Sequence, residues 1–479
     1  MRQISCDVAI IGAGTAGLAA RAAADGDGAR TVLIDAGPGG TTCARVGCMP
    51  SKLVIAAAAA MKDTERLGLF GLRLEGRVAV DGPAVMDRVR RERDRFVGSV
   101  LENVADIPAE QRIAGRARFT GPTSLRIDDH TEIEARAIVI ATGSKSAVPK
   151  VLSGLGEIVL TNETVFELPE PPPSLAVIGA GPLGIELAQA FARLGTRVTV
   201  FDKADRIAGL ADPAAAGIVR DLLSVEIELR LGVEIEAEPA AEGGAKLRWR
   251  GAAGAAGATG EAVFARVLAA AGRPPNLSGL NLDRAGLALD PHGTPVFDRA
   301  TMRCGASAVF LAGDAGHDRP VLHEAAAEGR IAGLNAARFP RVEPMPRQVP
   351  LSIVYTDPEI AVVGRPWSEE EDFAVGDADL GQSGRARVMG RNAGVIRVYA
   401  CRDGGRIEGG TIVGPEAEHL GHLLAWTVQC GMTVDAVLAL PFYHPTLEES
   451  FRGAIRKLCG ETRSRPPARP GDLEFGPGV

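Results

Sequence analysis

The 479-residue sequence predicts an α/β protein of two Rossmann-like units followed by a C-terminal α+β domain. Three observations carry that reading. A strand, glycine-rich turn, helix and second strand ending in an acid occur twice in the same register, a proline-rich stretch separates the copies, and the pattern changes to alternating strands from about residue 347.

In the first copy, Val8 to Ile11 form a strand, Gly12-Ala-Gly14-Thr-Ala-Gly17 the turn, an alanine-rich stretch the helix, and Thr31 to Asp35 the second strand. The second copy runs from Ala176 through Gly179, Gly181 and Gly184 to Arg197–Asp202. In both, the acid lies 23 positions after the first glycine. The first glycine permits the turn, the second lets a pyrophosphate approach the backbone, and the third lets helix pack on strand. The helix N-terminus faces the phosphates with unpaired N–H groups, and the aspartate accepts from ribose hydroxyls. Two copies in register point to two dinucleotide sites; the bland alternative is a pair of tight turns without ligands.

Glu167-Leu-Pro-Glu-Pro-Pro-Pro173 is a stiff linker into the second unit, and Gly272-Arg-Pro-Pro-Asn276 marks its end. The apolar strands Ala137–Ala141, leading into Thr142-Gly143, and Ser307–Ala312, leading into Gly313-Asp314, are placed to serve the first unit. The expected partition is 1–150 and 273–346 for the first dinucleotide-binding domain, 151–272 for the second, 347–460 for the α+β domain and 461–479 for a flexible tail rich in proline, glycine and arginine. Within the third domain, strands are expected at Val395–Tyr399 and Ile407–Val413 and helices around His419–Cys430 and Leu447–Leu458.

With 60 acidic and 53 basic residues, a net charge of -7 and no long basic run, the chain lacks the footprint of a nucleic-acid or anionic-membrane binder. Its longest apolar candidate, Leu53–Met61, is about half a bilayer span and reads as a buried helix. No leader pattern precedes the first strand, so a cytoplasmic location is expected, with most of the seven cysteines as free thiols.

Cys43 and Cys48 stand five positions apart in Gly40-Thr-Thr-Cys-Ala-Arg-Val-Gly-Cys-Met-Pro-Ser-Lys52. A regular helix separates such residues by about 7.5 Å along its axis, beyond the roughly 7 Å limit for a disulfide. A bridge therefore requires a distortion, which Gly47 and Pro50 permit. A helix starting near Cys48 would put that sulfur where the dipole favours a thiolate. No further Cys or His cluster offers zinc spacing; two buried free cysteines are the plain alternative. In Phe442-Tyr-His444-Pro445-Thr-Leu-Glu448-Glu449, an acid five residues after the histidine is placed to orient its imidazole. The alternatives are a solvated histidine and a helix N-terminal acidic pair.

Taken in order, these motifs resemble the pyridine nucleotide-disulfide oxidoreductase family from about residue 4 to 458, and within it the dihydrolipoamide dehydrogenase branch. The resemblance implies FAD at Gly12, Gly14, Gly17, Asp35, Thr42, Lys52, Gly115, Thr142, Gly143, Gly313 and Asp314, and NAD at Gly179, Gly181, Gly184, Asp202 and Gly272. It implies that Cys48 is the charge-transfer thiolate against the flavin, that Cys43 exchanges with substrate, and that Lys52 and Glu186 form the ion pair beside flavin N5. His444, across a cis bond to Pro445 and oriented by Glu449, would be the acid/base for the other subunit of a homodimer. The implied reaction reoxidises a dihydrolipoyl group on a carrier protein, or a small dithiol, with hydride transfer to NAD+. Asp202 favours NAD over NADP, tempered by Arg206.

Three positions depart from the family pattern: Thr41 in place of a second glycine, Tyr443 in place of alanine, and Leu322 in place of the alanine before His323. Competing readings are a related NAD(P)H-dependent flavoprotein disulfide reductase, a mercuric reductase, for which the C-terminal stretch offers only Cys459, and a low-turnover flavin redox sensor or lipoyl-protein binding subunit.

Overall fold

The computed structural model describes residues 1–251 and 259–462, so nearly all of the expected tail lies outside the described residues. The first stretch contains strands β1 (Arg2–Ile11), β2 (Thr31–Asp35), β3 (Arg112–Ala114), β4 (Ala117–Phe119), β5 (Ser124–Ile127) and β6 (Thr131–Ile140), with helices α1 (Thr15–Gly26), α2 (Thr42–Val46), α3 (Cys48–Arg66) and α4 (Gly82–Ala105). The second contains β7 (Val159–Leu160), β8 (Ser174–Ile178), β9 (Arg197–Phe201), β10 (Glu228–Arg230), β11 (Val233–Pro239), β12 (Ala245–Gly251), β13 (Gly260–Phe264) and β14 (Arg266–Ala269), with α5 (Pro182–Arg193) and α6 (Pro213–Ser224). Strand β15 (Val309–Leu311) and helix α7 (Leu322–Arg338) return to the first sheet. The last stretch has β16 (Leu351–Val354), β17 (Glu359–Gly364), β18 (Phe373–Asp379), β19 (Val395–Cys401) and β20 (Ile407–Gly414), with α8 (Gly384–Val388), α9 (Ala417–Gln429), α10 (Val434–Leu438) and α11 (Glu448–Leu458).

The first two sheets share one plan. β3-β2-β1-β6-β15 and β10-β9-β8-β14-β7 are parallel throughout, and each carries an antiparallel meander between its third and fourth strands: β4–β5 running into β6, and β11–β12–β13. The fifth strand differs. The first sheet takes it from the returning segment, the second from the residues just before its own β8. Strands buried on both faces need continuous apolar runs, which Val8–Ile11 and Leu175–Ile178 provide. The third sheet, β16-β17-β20-β19-β18, is antiparallel, with α9 and α11 packed on it.

Small residues set how close the helices come. A Cβ on Gly329 or Gly333 of α7 would stand 2.2 or 2.1 Å from the carbonyl oxygens of Ala16 or Ala20, so only glycine lets α7 lie against α1. One sequence expectation needs correction. The helical run Thr42–Phe70, counted through its break, reaches a mean hydropathy of 1.3 and is long and apolar enough, by length and composition alone, to cross a membrane. Its alanines extend the window beyond Leu53–Met61. In the fold α3 packs against α4 and α5, and its Lys52 pairs with a buried carboxylate of α5.

Candidate active site

The distortion required between the cysteines is a break between two helices. Cys43 lies in short α2, and Cys48 is the first residue of α3. Gly47 makes the break at φ −126°, so it is needed for space and not for a left-handed conformation: its Cβ would stand 2.9 Å from the carbonyl oxygen of Thr42. Both cysteines are free thiols here, and the Cys43 thiol hydrogen-bonds the Cys48 sulfur. That bond is the main reason the Cys48 pKa falls to about 7; burial opposes it and the Lys52 ammonium assists. The same bond, with burial, pushes the Cys43 thiol far up. Of the pair, Cys48 is therefore the thiolate.

Thr41, the departure from glycine, sits just before α2 at φ 54° and ψ 151°, a region otherwise almost reserved for glycine. Its hydroxyl accepts from the Ala44 amide at 3.3 Å, capping the helix and offsetting part of the strain.

Lys52 Nζ lies 2.8 Å from Glu186 Oε2, joining the cysteine helix to the helix of the second glycine turn. The other oxygen of Glu186 accepts from the Tyr355 amide at 2.7 Å, and the Lys52 ammonium stands 4.5 Å above the centre of the Tyr355 ring. Tyr355 carries no local motif and sequence reasoning missed it. The signal that remained was its rarity, as one of three tyrosines.

His444 Nδ1 lies 3.0 and 3.1 Å from the two oxygens of Glu449, which also accepts from the Thr446 amide. Burial works against the Glu449 carboxylate, but the His444 contact, the Thr446 amide and nearby Arg452 bring its pKa below the ordinary value. The His444–Pro445 bond is cis. His444 is exposed, Tyr443 beside it is 82% exposed, and among the described residues no hydrogen bond links His444 to either cysteine of its own chain.

The other residues singled out in the sequence gather at two turns. At the first, the Asp35 carboxylate is 3.4 Å from the Ala13 amide, Gly115 N–H donates to the Asp35 carbonyl, Gly313 abuts Ala16, and Asp314 accepts from Ser144 at 2.6 Å. Thr142 Oγ1 is buried there without a partner, and a Cβ on Gly14 or Gly143 would meet open space. Thr42 opens α2, ahead of Cys43. At the second turn, Gly179, Gly181, Asp202 and Gly272 line a cleft of about 1530 Å³, whereas Gly184 packs on the Gly179 carbonyl. Asp202 accepts from the Ala180 amide at 2.7 Å and the Ala204 amide at 2.8 Å. Neither helix start has a side-chain cap or an acid in its first turn, which leaves N–H groups for phosphate. Both turns fit a dinucleotide.

Residues 6–329 match the model of the pyridine nucleotide-disulphide oxidoreductase family, and residues 350–455 match its dimerisation domain. The chain belongs to that family. The cofactors of this pyridine nucleotide-disulphide oxidoreductase are accordingly FAD and NAD. Dihydrolipoyl dehydrogenase of Bacillus subtilis is 30% identical over 474 residues, covering 95% of this chain and 98% of that protein. The dihydrolipoyl dehydrogenase of Thermus scotoductus is also 30% identical, over 94% and 97%. Among solved structures, LpdA from Mycobacterium tuberculosis superposes with a TM-score of 0.80 at 26% identity, covering 96% of this chain and all of that one. The HOCl-induced flavoprotein disulfide reductase RclA from Escherichia coli superposes at 0.78 with 22% identity, covering 94% and 99%; that likeness concerns the fold alone.

Proposed function

We propose that the protein is a dihydrolipoyl dehydrogenase, a homodimer that reoxidises a dihydrolipoyl dithiol on a carrier protein and delivers hydride to NAD+. Residues 1–150 and 273–346 hold FAD, 151–272 hold NAD, and 347–460 form the subunit contact. The observation that carries this reading is the geometry of the site: Cys48 opens α3 with Lys52, one turn on, paired to Glu186, and Glu449 holds His444 on the exposed face of the third domain.

In the oxidised enzyme a substrate thiolate attacks Cys43 Sγ of the Cys43–Cys48 disulfide. Cys48, the sulfur of lower pKa, leaves as thiolate. His444 of the facing protomer takes the substrate's proton at Nε2, because Nδ1 is held by Glu449. The second substrate thiol then displaces Cys43, giving the lipoyl disulfide and a Cys43 thiol beside a Cys48 thiolate. Bound FAD supplies the two-electron link from this dithiol to NAD+. Lys52 holds positive charge beside Cys48 throughout, and Glu186 holds Lys52.

Steady-state reduction of NAD+ by free dihydrolipoamide, and by a panel of lipoylated carrier proteins, tests the reading. Turnover that Cys43→Ser or Cys48→Ser abolishes is expected. Turnover with neither donor, in flavin-loaded protein, would contradict it.

A further inference from the structure

Lys52 and Glu186 act on Cys48 in opposite directions. The ammonium favours its thiolate and the carboxylate disfavours it. A rotation that withdrew Lys52 and left Glu186 in place would turn support into hindrance. Lysine is a compact charge on a flexible stem with three rotatable donors, so one ion pair does not fix where its charge sits. Lys52 lies one helical turn after Cys48, on the same face of α3. What restrains the pair is Tyr355, directly after β16. Its amide occupies the Glu186 oxygen that Lys52 does not use, and its ring covers the ammonium. Burial pushes the Tyr355 phenol up to about 12, and the Glu418 carboxylate at the start of α9 adds to that shift. Glu418 is anchored in turn, its amide donating to Glu359 at 2.9 Å.

We propose that Tyr355 is a positioning residue for the redox dithiol: its ring and its backbone amide together fix the Lys52–Glu186 pair beside Cys48. The inference rests on the reading of Cys48 as the thiolate. The charged and titratable groups facing Cys48 are the Cys43 thiol from α2, Lys52 from α3 and Glu186 from α5; those facing Tyr355 are Lys52, Glu186, Glu359 and Glu418.

The test uses the full-length, FAD-loaded protein carrying Cys43→Ser, so that Cys48 is the thiol under observation. Its rate of alkylation by iodoacetamide, located by mass spectrometry, is followed against pH. Tyr355→Leu removes the ring and should raise the midpoint by about one pH unit, a roughly tenfold loss of thiolate below it. Tyr355→Phe keeps the ring and should move it by less than half as much. Trifluorophenylalanine at position 355 keeps the shape but drains the ring of electrons, and should raise the midpoint above that of Tyr355→Phe by a few tenths of a unit. A flavin-loaded Tyr355→Leu protein that titrates with its parent would overturn the proposal. Should that variant fail to load, identical titration of the phenylalanine and trifluorophenylalanine proteins would overturn it instead. In the reduced protein that keeps Cys43, alkylation near neutral pH that falls on Cys43 and not on Cys48 would refute the thiolate reading itself, and this inference with it.

Discussion

Gly12 and Gly179 turn the chain at φ 109° and 117°, and a side chain at either would stand 2.4 Å from a carbonyl oxygen, of Ala141 in one case and Ala270 in the other. Gly17 and Gly184 repeat the likeness, their Cβ positions falling 1.8 and 2.0 Å from the carbonyl of the first glycine of their own turn. The surroundings differ. Behind the first turn, α7 lies against α1, Gly313 abuts Ala16, and β15 completes the sheet from a distant part of the chain. The second sheet takes no returning strand, and its turn opens on the large cleft, which Arg319 and Glu324 also line. One backbone solution thus recurs in two surroundings, one backed by a returning helix and strand and the other open to a cleft. The Lys52–Glu186 pair joins the two units beside the cysteines.

The largest effect should come from the third glycines. Gly17→Ala and Gly184→Ala each force a Cβ into backbone, at a cost of about 3 kcal/mol. Gly17→Ala should emerge without flavin, and Gly184→Ala should keep flavin while losing NAD-dependent turnover. Absorbance of the purified proteins and denaturant unfolding check both. Equal loss of flavin in the two variants would break the distinction between the units.

A smaller effect is expected at the acids. Asp202 faces the cleft, where a 2'-phosphate would meet like charge. Asp202→Ala should reduce the preference for NAD over NADP by about tenfold in kcat/KM, and Asp35→Ala should leave that preference unchanged. The smallest effect should lie between the first acid and the cysteines. Because Thr41 holds a glycine-like conformation, Thr41→Gly should be more stable than Thr41→Ala by about 1–2 kcal/mol, the reverse of the usual order for these two residues. Thermal unfolding of the pair measures it.

The two turns, their acids, the cysteine pair and the His444–Glu449 pair were legible in the sequence because each is a local pattern whose spacing carries its geometry. Gly47 was legible as a bend, but the reason for it, the nearby Thr42 carbonyl, was not. Tyr355 was illegible because it meets Lys52 and Glu186 only through the packing of β16 against the rest of the fold. The β11–β13 meander was missed because its exposed strands pair Glu234, Glu236 and Glu238 with Arg250, Arg248 and Lys246, a charged alternation with a weak apolar signature. Strand β7 has only two residues, too few to show a period.

The central claim is that one protomer's cysteines work with its partner's histidine. A heterodimer of a Cys43→Ser protomer and a His444→Ala protomer, purified through two tags, addresses it directly. Each parent homodimer should be nearly inactive, loss of an acid/base alone costing about 10²- to 10⁴-fold. The heterodimer contains one site with both residues intact and one with neither, and should recover about half of wild-type activity per dimer. A stable, flavin-loaded heterodimer with no recovered activity would place the working cysteine and histidine in the same chain and contradict the account.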